Sequence, residues 1–169
     1  VTFESGVPFQ IGEIIVKPFR ISHDAAEPVG YSFFAQGKQI SVLTDTGCVT
    51  EEIYEEIKDV DLVALEANHD KDVLQFCRYP YHIKRRILSD HGHLSNLSCA
   101  NLAMELYDQG TRQFVLAHLS RENNTPLLAQ KTVCDYLNKH GINTGIDVSI
   151  NIAPEKDILS LPIEVYSKC

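Results

Sequence analysis

Apolar and polar positions alternate along "GEIIVKPFRIS", residues 12–22, as in a strand with one buried face. "VGYSFFAQGKQISVLTDTG" carries two more alternating runs with a turn at Gly37-Lys38, which predicts a hairpin. The period changes at "TEEIYEEIKDV": Ile53 and Ile57 stand four apart behind Thr50, an N-cap residue, and acids fill the first turn, so a short helix is predicted. "DLVALEA" is a continuous apolar run, a buried strand. Residues 70–78 read as helical, with a break at Pro80. "SNLSCANLAMELYDQG" predicts an amphipathic helix capped by Ser95 or Asn96 and closed by Gly110. "RQFVLAHLS" is a strand, and "NTPLLAQKTVCDYLNKHG" a helix with Pro126 in its first turn and Gly141 after its end. "INTGIDVSINIA" predicts a last strand before a loose tail. The first half is mostly strand and the second alternates strand with helix, so the fold class is layered α/β with mixed strand directions.

Four of these strands stop at a residue able to hold a metal or move a proton. His23 follows "IIVKPFRIS", Asp45 follows "ISVLT", Glu66 follows "DLVAL" and His118 follows "QFVLA". Sites in layered α/β folds gather where neighbouring strands end, so His23, Asp45 and His118 are predicted to converge. Neutral imidazole mixed with carboxylate suits zinc, manganese or iron. One carboxylate can bridge two such ions, holding them about 3.5–4 Å apart around a shared hydroxide nucleophile. Each residue also has a structural reading: a hydrogen-bonded strand-end histidine, a turn aspartate before Thr-Gly, a surface glutamate.

Three further stretches carry candidate chemistry. "DHGHLSN" sets His91 and His93 ahead of a helix whose first N–H groups, at Ser95 and Asn96, suit a phosphate oxygen; an ordinary capped helix reads the same way. "YPYHIKRRI" mixes Tyr79 and Tyr81 with Lys84, Arg85 and Arg86, a combination that suits single-stranded nucleic acid or is simply a solvated charge run. "SRENNTP", residues 120–126, reads as a structural turn.

The chain's 169 residues, 44% hydrophobic and 22% charged, allow one domain with a real core. No apolar run approaches the roughly 20 residues a bilayer requires, and the first residues have no secretory pattern. The net charge of −8 means that a phosphodiester substrate would need bound cations and the local patch "HIKRR". Cys48, Cys77, Cys99, Cys134 and Cys169 lack CxxC spacing, which argues against a disulfide framework and against a zinc ribbon and for free thiols in a reducing cytoplasm.

"PFRISHDAAEPVGYSF", "ISVLTDTG", "LVALEANHD", "RILSDHGHLSN" and "LAHLSRENNTP", in this order, resemble the later part of metallo-β-lactamase-fold hydrolases of the YycJ/WalJ type. The resemblance spans roughly residues 9–153. It implies an αββα sandwich with a two-metal site, in which His23, Asp45 and His118 are metal ligands. Glu66 and His93 stand where the acid–histidine pair of RNase Z would assist proton transfer and hold the scissile phosphate. His69 and Asp70 match no role. The implied activity is that of a metal-dependent phosphodiesterase or nuclease, DNA exonuclease-like, working through a hydroxide activated by two metal ions. His93, Ser95, Asn96, Lys84, Arg85 and Arg86 are its candidate substrate contacts. A metallohydrolase of small esters or lactones and a metal-poor interaction domain are the alternatives.

The HxHxDH run that supplies most ligands in that family is absent from the sequence. Two ions need about six or seven protein ligands, and three are here. Together with the missing initiator Met, this leads to the expectation that residues 1–169 are the C-terminal portion of one such domain. That portion is expected to be inactive alone and to pair with an N-terminal half or another chain, with homo-oligomers also open.

Overall fold

The computed structural model describes residues 2–163; Cys169 and the end of the predicted tail lie outside them. Seven strands form one sheet in sequence order: β1 Phe9–Ile11, β2 Ile14–Arg20, β3 Val29–Ala35, β4 Lys38–Leu43, β5 Leu62–Glu66, β6 Gln113–Ala117 and β7 Ser149–Ile152. β1 to β4 pair antiparallel and β4 to β7 pair parallel. The mixed strand directions and the layered α/β class are as the patterning predicts. β2 therefore runs in the same direction as β4, β5 and β6, and the C-terminal ends of all four reach one edge of the sheet.

The helices are α1 Glu51–Ile57, α2 Lys71–Phe76, α3 Tyr81–Ile87, α4 Asn96–Asp108 and α5 Pro126–Lys139. Their starts follow elementary capping: Thr50, Asp70, Ser95 and Thr125 each accept a backbone N–H from the first turn. Leu43, Leu65 and Leu116 stand side by side in register. They share a core with Ile53 and Ile57 of α1, Leu102 and Leu106 of α4, and Val133 and Leu137 of α5, so these three helices cover one face of the sheet. The alternate positions, among them Tyr31, Phe33, Ile40, Val42 and Ala64, turn to the other face and are only half-buried. Helices on one face of a mixed sheet form one α/β half of the sandwich that the resemblance implies.

Three local expectations need correction. The hairpin turn is Gln36-Gly37, not Gly37-Lys38: Ala35 pairs with Lys38, and both turn residues have positive φ, 51° and 72°, as a two-residue loop requires. Pro80 does not only break a helix; it occupies the N-cap of α3, whose Ile87 is buried, so "YHIKRRI" is helical. β1 was hidden in a stretch too short to show a period, and β7 is only four residues because Asn143–Asp147 fold into a turn closed by the Asp147 carboxylate.

Candidate metal centre

Four of the five residues at the shared sheet edge are placed by a strand that ends at or shortly before them. β4 ends at Leu43 and delivers Asp45, β5 ends on Glu66 itself, and β6 ends at Ala117 and delivers His118. His23 follows β2, and His93 arrives on the loop between α3 and α4. Asp45 and His118 both lie in the left-handed region, φ 57° and 55°. A side chain there costs about 1–2 kcal/mol, so each must be held by its surroundings.

Glu66 is the hub. It is fully buried, and its Oε1 accepts from Nδ1 of His118 at 2.7 Å and from Nδ1 of His93 at 2.8 Å. Its Oε2 accepts the backbone N–H groups of Thr46 at 3.0 Å and Leu94 at 3.2 Å. Burial on its own would raise the Glu66 pKa. The bonds from His118 and His93 outweigh it, and the carboxyl lies below its ordinary range. The same bond to Glu66 raises the His118 pKa against the opposing effect of burial. A carboxylate on Nδ1 fixes the tautomer of both rings and leaves Nε2 as the free donor atom. His23 is held similarly: its Nδ1 donates to the Gly92 carbonyl at 3.1 Å, so Nε2 is again the free atom.

Of these, the Nε2 atoms of His118 and His23 face Asp45, whereas His93 approaches it with Nδ1, 3.8 Å from Oδ1. The Asp45 Oδ1 lies 3.6 Å from His118 Nε2 and 3.9 Å from His23 Nε2. The His93 ring stands between the other two, with centroids 5.1 Å from His23 and 5.3 Å from His118. Donor atoms of Asp45, Glu66, His93 and His118 all lie within 4.8 Å of one another. Two donors on one zinc ion, each at about 2.0–2.1 Å, stand roughly 3–4 Å apart. The Asp45–imidazole spacings match that, so the residues fit a divalent ion.

The support around this cluster was only partly legible in the sequence. Asn68 Nδ2 donates to the carbonyl of His118 at 2.9 Å, which holds that residue in its left-handed conformation. Asn124, in the turn read as structural, donates to the carbonyls of Ala67 and Asn68 and exchanges amide bonds with Asn96. Gly47 and Gly92 are close-approach positions: a Cβ on Gly47 would lie 2.3 Å from the Ser89 carbonyl oxygen, and one on Gly92 would lie 2.2 Å from that of Arg86. Ser22 Oγ donates to the Asp90 carbonyl at 2.7 Å and meets His91 Nδ1 at 3.1 Å. None of these contacts has a periodic signature in the sequence.

The candidate substrate residues are placed unequally. Ser95 and Asn96 are buried; Ser95 caps α4 and Asn96 bonds Asn124. Arg86 makes a two-point pair with Asp24, at 2.5 and 2.8 Å, which holds the Asp24 carboxyl down at about 2. Lys84 donates to the carbonyls of Gln75 and Cys77. Arg85 is exposed, its guanidinium 6.0 Å from the centre of the Tyr81 ring. Asp70 caps α2, and His69 is buried with neither ring nitrogen bonded to any described group.

Residues 1–119 match the family model described as the beta-lactamase superfamily domain. The chain belongs to the beta-lactamase superfamily. Within that superfamily it is 39% identical over 143 residues to exodeoxyribonuclease YycJ of Bacillus anthracis, covering 85% of this chain and 54% of the relative. It is 36% identical over 148 residues to exodeoxyribonuclease WalJ of Streptococcus pneumoniae, covering 88% and 55%. The crystal structure of YhfI from Bacillus subtilis, titled a metallo-beta-lactamase fold protein, matches with a TM-score of 0.63 at 16% identity over 90% of this chain and 52% of that one. The fold is thus the metallo-β-lactamase fold. This superfamily member spans about half the length of the relatives it matches.

Proposed function

We propose that this chain contributes the His23, Asp45 and His118 ligands of a two-ion centre in a nuclease that cleaves DNA phosphodiesters. One observation carries the reading: Glu66 takes Nδ1 of both His93 and His118, which leaves the Nε2 of His118 free 3.6 Å from Asp45 Oδ1. Two relatives named exodeoxyribonuclease support the substrate class. Divalent ions at such a centre, zinc, manganese or iron by donor type, supply Lewis acidity and a water that ionises near neutral pH.

The chain's own residues do the rest. Asp45 presents its carboxylate between His23 and His118. Glu66 keeps both of its histidines in one tautomer. His93, without a ligand role here, turns its Nε2 to the substrate, where it steadies a phosphate oxygen or passes a proton to the departing oxygen. Ser95 and Asn96 act by fixing the start of α4 behind His93, and Arg86 by fixing Asp24 beside His23. Three ligands leave two ions short of donors, so the complete centre draws others from a preceding segment or a second chain. Four described cysteines are unpaired, which fits a reducing, cytoplasmic setting. No helix among the described residues is long and apolar enough to cross a membrane.

The test is Asp45→Ala in the full-length protein reconstituted with metal. Cleavage of bis-p-nitrophenyl phosphate and of a labelled DNA strand is expected to fall at least a thousandfold. Turnover equal to wild type refutes the proposal, and hydrolysis of lactones in place of phosphodiesters moves the protein to carbonyl chemistry.

A further inference from the structure

The chain carries an excess of acids, yet residues 71–88 hold five cations, Lys71, Arg78, Lys84, Arg85 and Arg86, against one carboxylate, Asp72. This is the α2–α3 hairpin. Two of its cations are engaged structurally. Lys84 Nζ bonds the carbonyls of Gln75 and Cys77, one on each side of Phe76, at 2.7 and 2.8 Å. That strut fixes Phe76 against α3, although 83% of Phe76 remains exposed. Arg86 ties α3 to Asp24, whose Oδ1 lies 3.4 Å from His23 Nε2. The last turn of α3 is therefore tied in two directions, by Arg86 toward the candidate metal ligand His23 and by Lys84 toward the segment that carries Phe76.

Beside these anchors the exposed surface of α3 is aromatic and cationic. Tyr81 is 76% exposed, and Arg85, one turn along the same face, sits 6.0 Å from its ring. Among the described residues Arg85 has no carboxylate partner. A hollow of about 630 Å³ opens beside Phe76, lined also by Val73, Arg78 and Tyr79. Asp72 and Glu122 share that hollow, and their acceptors suit the amino groups of bases, not phosphates.

We propose that Phe76, Tyr81 and Arg85 form a stacking platform for a single-stranded polynucleotide leading toward His23. The inference rests on the nuclease reading above and deepens it by naming the strand's track. Exposed rings accept bases of any sequence through their π faces, and the free guanidinium meets the backbone charge. The concentration of positive charge in one hairpin of an acidic chain is the complement such a strand requires. A duplex, whose bases are already stacked, gains nothing from the rings.

Fluorescence anisotropy with a labelled oligothymidylate of about ten nucleotides, a length one such surface can engage, tests the platform. The full chain is used in EDTA, so binding is read without cleavage. Phe76→Ala and Tyr81→Ala are each expected to weaken binding about tenfold, Tyr81→Phe to retain it, and Arg85→Gln to weaken it while flattening its salt dependence. A duplex of equal length is expected to bind more weakly. Circular dichroism confirms that these surface variants remain folded. The platform is overturned if the alanine variants bind like wild type, if the duplex binds as well as the single strand, or if wild type does not bind. It is also overturned if the variants alter only self-association in sedimentation velocity, which would make the patch a protein contact. If wild type binds the strand and the metal-loaded full-length protein never cleaves it, the nuclease reading fails and the platform stands.

Discussion

Glu66 and His118 are joined by a 2.7 Å bond between a fully buried carboxylate and an imidazole Nδ1. Each shifts the other: the Glu66 pKa lies below its ordinary 4.5 and that of His118 above its ordinary 6.5. A carboxyl lowered by folding stabilises the fold above about pH 4.5, and that contribution is lost as pH falls through its folded value. A histidine raised by folding stabilises fully below pH 6.5, and that part is lost as pH rises through its folded value. The two are faces of one interaction and do not add. In metal-free protein, Glu66→Gln is expected to bring the His118 titration, followed by NMR, back toward 6.5 and to cost about 3 kcal/mol in urea unfolding. An unmoved His118 titration contradicts the pairing.

Asn68 holds the carbonyl of His118 while that residue sits at φ 55°. Asn68→Ala removes the donor and leaves the conformation unsupported. The expected effect is a 10–100-fold loss of metal affinity by calorimetry, the range seen when residues behind a ligand are removed. Asn68→Asp is expected not to rescue, because a carboxylate facing a carbonyl repels. Unchanged affinity in both variants would show that His118 needs no such support.

His69 is buried, and burial, opposed by the charge of Glu66, pulls its pKa down to about 4. Its folded value lies below its unfolded one, so the unfolded chain binds the proton first. Stability is then lost as pH falls from about 6.5 toward 4, by on the order of 3 kcal/mol. His69→Leu is expected to flatten this slope in denaturant titrations. At pH 7 it should cost little, because neither ring nitrogen has a described partner to lose.

Gly47 and Gly92 bring the Asp45 loop against the loop that carries His93. A methyl group on either meets backbone, not a movable side chain. Gly47→Ala and Gly92→Ala are each expected to lower stability by about 2–3 kcal/mol and to reduce metal uptake together with it. At Gly12 a Cβ meets nothing within 4 Å, so Gly12→Ala carries only the strain of its positive φ, 58°. Equal losses at all three sites in thermal unfolding would show that close approach is not the cause.

The sequence by itself determined the elements and the places where chemistry stands. Two-residue alternation and four-residue spacing are local consequences of strand and helix geometry, so β2 to β6, α1, α4 and α5 could be read directly, with Thr50, Ser95, Pro126, Gly110 and Gly141 marking their ends. His23, Asp45, Glu66 and His118 were legible as strand-end residues, and the motifs around them carried the family. Only the tertiary structure decided which atoms meet. That Glu66 serves His93 and His118 at once, that Asn68 reaches across 50 positions to His118, and that Arg86 is taken by Asp24 while Arg85 stays free all depend on the order and direction of strands. Such contacts join residues far apart in the chain, and a hydrogen bond between them leaves no period behind. The same limit hid α3, seven residues of which Ile87 alone is buried.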